Sequence, residues 1–170
     1  GNPPVRLGIT RRIKRLAAQG VVETRHYHGA RIMTVSEEEA RNILLIAELL
    51  VGLAARQAAG KIGEGTARND LRDALEAVTR ASSGIDRFEV ILARHRFHRT
   101  LARIAGSRVL ETTLGNLHVH LVRNKLVMTP EQRAASYARI AEAIFDGDAD
   151  AAETHAKDHV RAMIERLGQS

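Results

Sequence analysis

The 170-residue chain contains no cysteine. That excludes disulfides and thiolate metal sites and leaves histidine, aspartate, glutamate and tyrosine as the side chains able to bind a metal. Nor is there an unbroken run of 18 apolar residues, and the first twenty residues are arginine-rich, with no apolar core ahead of a cleavage site. Both absences lead to the expectation of a soluble, cytoplasmic protein with no membrane partner. Catalytic signatures are missing too. The sequence has no phosphate loop, nucleophile elbow or zinc-protease helix, and no inward glutamates with Glu-x-x-His pairs of the di-iron kind. These absences point away from an enzyme.

Acidic residues are scarce in one place. Up to Val35 there are seven basic residues, Arg6, Arg11, Arg12, Lys14, Arg15, Arg25 and Arg31, against Glu23 alone. From Ser36 onward the two signs balance, so the whole net charge of +6 lies in the first fifth of the chain. A basic block joined to a neutral domain suits contact with a polyanion, although charge alone fits a solvated basic face equally well.

After Ser36 the helix signals are closely spaced. Ser36 with Glu39 reads as a capping box opening a helix that closes at Gly60. A second helix is expected from about Thr66 to Ala81, ended by Ser82-Ser83-Gly84. Asp86 and Glu89 open a third that stops at Gly106, and Ser107 starts a fourth reaching roughly Val127. Thr129, Pro130 and Gln132 supply N-cap, first-turn proline and capping-box partner for a fifth, ending near Gly147. Asp148 opens a sixth. Six helices with short links and apolar stripes predict an all-α fold, an antiparallel helical bundle. Ahead of it, Thr10 to Gln19 has helical spacing, and two β-branched runs around His28-Gly29 read as a hairpin. Helix followed by basic hairpin is the C-terminal half of a winged helix-turn-helix.

With those elements in order, the sequence resembles the GntR family of bacterial transcription regulators, in its FadR-like branch with an all-helical FCD domain. The resemblance is carried by PPVR (Pro3 to Arg6), RRIKRLAAQGVVE (Arg11 to Glu23), HGARI (His28 to Ile32), LVGLAARQAA, FHRTLARIAGS and AIFDGDADAAETHAKDHV. It implies residues 1–36 as a partial winged helix-turn-helix and 37–170 as a helical ligand-binding and dimerisation domain. The segment from Arg6 to Gly20 is four residues longer than the family spacing, and the first helix of the DNA-binding module is not in this sequence. The partners implied are a double-stranded DNA operator, a small carboxylate-type effector and a second copy of the chain. Arg6, Thr10, Arg11, Arg12, Lys14 and Arg15 fall on or before the recognition helix, and Arg25, His28, Gly29 and Arg31 on the wing. Arginine forks match guanine edges and phosphate oxygens, and a glycine lets a hairpin tip approach the backbone. The competing reading is a helical ligand-binding or dimerisation module without DNA binding.

Periodicity sorts the histidines. On the third helix Val90, Ile91, Phe97, Leu101, Ile104 and Ala105 form the apolar stripe, and Arg94 and His98 fall on it, one turn apart. His95 lines up with Arg99 and Arg103 on the polar face. On the sixth helix His155 and His159 lie on or beside the inner stripe, on the fifth Tyr137 joins Ile140 and Ile144, and on the fourth His118 sits beside Leu114 and Leu121. Polar groups on so many apolar faces imply a polar cavity, since burial without partners is costly. The family resemblance implies a divalent metal, zinc or nickel, held by an acid and a histidine one turn apart and by one histidine on each of two later helices. Carried over, those positions are Arg94, His98, Tyr137 and His159, so only His98 and His159 keep the metal-binding chemistry. Arg94 puts a cation where an acid would stand. Tyr137, His118 or His155 could complete a rearranged shell. Otherwise Arg94, His98, His118, Tyr137, His155 and His159 would bind an anionic effector directly. Ala47 and Val51 stand where relatives often carry an arginine and a glutamate.

Overall fold

The computed structural model describes residues 22–25, 29–32, 35–84, 86–117 and 128–167, the first two segments as backbone. Strands β1 (Val22–Arg25) and β2 (Gly29–Ile32) pair antiparallel, with Val22 opposite Ile32 and Arg25 opposite Gly29. Six helices follow among the described residues: α1 (Glu37–Ala59), α2 (Ala67–Ser83), α3 (Arg87–Ile104), α4 (Arg108–Asn116), α5 (Pro130–Phe145) and α6 (Ala149–Ile164). The hairpin and the six helices agree with the expectation from the sequence, with one change of extent among the described residues. Helix α2 runs two residues past Ala81, to Ser83. The fourth helix is described to Asn116, and its expected continuation through Val127 lies outside the described residues.

Local signals explain where the helices begin and end. The hydroxyl of Ser36 accepts the Glu39 N–H at 3.1 Å, and Asp86 and Asp148 accept from Phe88 and Ala151. The reciprocal capping box closes at Thr129, where Gln132 returns a bond to the Thr129 N–H, just ahead of Pro130. Thr66 is an exception: its hydroxyl donates to Asp70 rather than capping α2. Gly106 and Gly147, at φ of 70° and 74°, take the left-handed conformation that ends α3 and α5, whereas Gly60 stays right-handed and the chain turns on through Lys61.

Helix α1 packs most extensively on α6. The pair is antiparallel, because Arg56 bonds Asp150 and Glu153 while Arg161 bonds Glu48. Small residues make close contact possible: α1 buries Ala40, Ala47, Ala54, Ala55, Ala58 and Gly52, and α6 buries Ala152 and Ala156. At Gly52 a Cβ would stand 2.9 Å from the Lys157 side chain, whose stem lies across the helix there. Helix α1 is long and apolar enough to cross a membrane by length and composition, yet nine of its residues are buried within the bundle, so much of its apolar content serves the core. Helices α2, α3 and α5 complete the bundle around Leu71, Val78, Phe97, Leu101, Ile140 and Ile144. The start of α2 is tied to the end of α5 by Arg68, which donates to the Phe145 carbonyl and lies over its ring.

Candidate functional site

The inward faces of α3, α5 and α6 meet around a polar cluster inside the core. Arg94 (6 % exposed), His98 (7 %), Tyr137 (0 %) and His159 (2 %) are buried there, as their helical spacing requires. On α3, the His98 Nδ1–H donates to the Arg94 carbonyl at 2.8 Å, so further interactions of this ring run through Nε2. Arg94 Nε donates to the Tyr137 hydroxyl at 3.3 Å, and Ser136 Oγ bonds His159 Nδ1 at 2.8 Å. The rings stack into one unit, with centroids 4.8 Å apart for Phe97 and Tyr137, 4.6 Å for Tyr137 and His159, and 6.0 Å for His98 and His159. Such tilted and edge-on pairs hold the ring planes and so fix where the polar edges face.

Arg133 joins this cluster and was not singled out by periodicity. It stands one turn before Tyr137 on α5, and that i, i+4 relation was the available signal. One terminal nitrogen of its guanidinium donates to the Met128 carbonyl at 3.0 Å, while its buried Nε has no hydrogen-bond partner among the described residues. Burial, together with the positive charge of Arg94, pulls the Arg133 pKa below that of a free arginine. Among the described residues no carboxylate pairs with either Arg94 or Arg133; the ion pairs of Arg56, Arg99, Arg103, Lys157 and Arg161 all lie elsewhere.

This donor set does not fit a resident divalent metal. Arg94 occupies the acid's position and is committed to Tyr137, and no three His, Asp or Glu side chains gather among the described residues. Two imidazoles beside two guanidinium ions suit an anion far better, since each arginine keeps its charge and presents several N–H donors.

The other expected site residues fall differently. His155 is half-buried and makes none of the cluster's hydrogen bonds or ring contacts described above. His118 lies outside the described residues. His95, expected on the polar surface, is half-buried. It lines an open groove of about 650 Å³ with Arg80, Asp86, Glu89, Arg96 and Arg99. Ala47 and Val51 are core residues of α1. Of the DNA-contact residues, Arg25, Gly29 and Arg31 fall on the two strands, with Arg31 opposite Glu23 in the register. Arg6, Thr10, Arg11, Arg12, Lys14, Arg15 and His28 lie outside the described residues.

Helix order and packing define the class: an all-helical bundle with the buried polar side chains of Arg94, His98, Tyr137 and His159 gathered where α3, α5 and α6 meet. The FCD-domain family model matches residues 42–162, and the chain belongs to that family. It is a family of GntR-type transcription regulators rather than of enzymes, in agreement with the resemblance seen in the sequence. One relative is the "Probable D-xylose utilization operon transcriptional repressor" of Paenarthrobacter nicotinovorans, 26 % identical over 161 residues covering 92 % of this chain and 70 % of the relative. Solved structures with the same fold include a GntR protein of Streptococcus agalactiae (TM-score 0.65, 17 % identity, 92 % of this chain and 80 % of that one). Another is McbR/YncC of E. coli (TM-score 0.70, 16 % identity, 92 % and 77 %).

Proposed function

We propose that this chain belongs to a DNA-binding repressor whose operator affinity is set by a small carboxylate-type anion bound between α3, α5 and α6. The observation that carries this reading is the pair Arg94 and Arg133, cationic and without a carboxylate partner among the described residues, set against Tyr137, His98 and His159. An anion placed there gains charge-assisted hydrogen bonds in a site where water competes weakly. His118 and His155 are included in the proposed effector-binding set on their helical spacing alone, and a metal on His98 and His159 is no part of it.

Residues 1–36 act as the DNA-binding portion and 37–170 as the effector-binding and dimerisation portion. The basic excess before Val35 supports the first assignment, with Arg6, Thr10, Arg11, Arg12, Lys14 and Arg15 at the recognition helix and Arg25, His28, Gly29 and Arg31 on the wing. The name of the Paenarthrobacter relative, an operon repressor, supports the direction of control. The protein works as a cytoplasmic homodimer. Leu45, Ile46, Leu49 and Leu53 form an exposed apolar stripe along α1, with Leu49 62 % exposed, and a second copy of the chain is the partner that covers it. Two-fold symmetry then suits a palindromic operator. Regulation follows by linkage: the anion binds one arrangement of the helical domains better and shifts the two DNA-binding heads by that difference in affinity.

Thermal melting against a panel of small carboxylates, with zinc, nickel or EDTA, tests the site. Saturation at a hundred times Kd contributes about 2.7 kcal/mol, a rise on the order of 5–10 °C. The rise is expected to survive EDTA. If no anion raised the midpoint, the effector site would be wrong. For the DNA-binding portion, a gel shift on the neighbouring promoter region with Arg11→Ala and Arg12→Ala in the full-length protein is expected to show weakened binding. Unchanged affinity would sink that assignment.

A further inference from the structure

We propose that the effector carries two negative charges, one taken by Arg94 and the other by Arg133; this rests on the anion-binding reading above. A single carboxylate would neutralise one guanidinium and leave its neighbour in the same cluster, partly withdrawn from water, without a counter-charge. Arg133 is held there although the structure around it disfavours the charge. Its Nε is buried without a hydrogen-bond partner among the described residues, and Arg94 acts on it as a like charge. Neutralisation by Asp or Glu is absent at both arginines among the described residues.

The two arginines are also anchored differently. Arg94 is positioned from α3 by the Tyr137 hydroxyl, and Arg133 from the start of α5 by the Met128 carbonyl, so each fork keeps N–H groups that its anchor does not use. Arg133 is half-buried while Arg94 is buried, which orders the site from an inner cation to an outer one. A short dicarboxylate or a phosphate monoester offers the chemistry this pair would recognise.

The test is titration calorimetry on the full chain in EDTA, with succinate against succinamate and glycerol phosphate against its singly charged methyl phosphodiester. The doubly charged member of one pair is expected to bind about tenfold or more tightly than its partner, one charge-assisted contact more. Which pair shows the preference tells dicarboxylate from phosphate ester. Arg133→Gln is expected to erase the preference, and Arg133→Lys to keep part of it, while both variants melt within a few degrees of the parent. Equal binding of succinate and succinamate, with no preference in the phosphate pair, would overturn the dianion and leave the carboxylate effector standing. A preference that survives Arg133→Gln, or one that appears only with added zinc, would overturn the role given to Arg133. Absence of binding in both pairs at millimolar concentration would overturn the inference and the effector reading together.

Discussion

Tyr137→Phe removes one oxygen atom from the centre of the bundle and nothing else. The ring is fully buried and edge-on to Phe97 at 4.8 Å, so its apolar packing and the surrounding volume are retained and no cavity forms. What is lost is the acceptor for Arg94 Nε, a bond at the long end of the hydrogen-bonding range at 3.3 Å. Because Arg94 is only 6 % exposed, water cannot readily replace that acceptor. The cost is that of a donor left unsatisfied, about 1–2 kcal/mol in the lower part of the usual span. For a chain of this size that lowers the thermal midpoint by roughly 2–8 °C. Urea unfolding followed by circular dichroism, at neutral pH and without ligand, measures the change directly. Tyr137→Ala is the control, expected to lose about 3–5 kcal/mol because it also opens a cavity. An unchanged urea midpoint for Tyr137→Phe would refute the idea that this hydroxyl orients Arg94. A loss as large as that of the alanine variant would mean the ring itself had moved.

Leu49→Glu places a charge in the middle of the exposed α1 stripe and is expected to convert a dimer to a monomer in analytical ultracentrifugation, without lowering the monomer's helical content; a dimer that persists would move the interface elsewhere. Gly52→Leu drives a side chain into the Lys157 stem where α1 and α6 approach, and should cost about 1–3 kcal/mol in urea unfolding. Glu153 is held below the usual carboxylate range chiefly by its hydrogen bond from Lys157, and further by Arg56. Its pKa is therefore lower folded than unfolded, so its stabilisation is fully present above pH 4.5 and lost as pH falls through the lowered value. The stability gap between the parent and Glu153→Gln should close on acidification below that point, and a gap independent of pH would contradict the assignment.

The sequence alone determined the helices, because their information is local. Caps such as Asp86, Thr129 with Gln132, and Asp148, and stops such as Gly106 and Gly147, act within one turn, and the 3.6-residue period sent Arg94, His98, Tyr137 and His159 inward before any packing was known. Tertiary structure decided everything that depends on two helices meeting. Which donor faces Tyr137, that Ser136 engages His159, and that Arg133 comes near enough to Arg94 to feel its charge are consequences of how α3, α5 and α6 pack. The groove that His95 shares with Arg80 and Ala81 of α2 is of the same kind. Periodicity gives the direction of a side chain about its own axis, but it carries no information about what stands opposite. The cationic character of the cluster is therefore half legible in the sequence, through Arg94, and is completed by Arg133, which only the fold brings beside it.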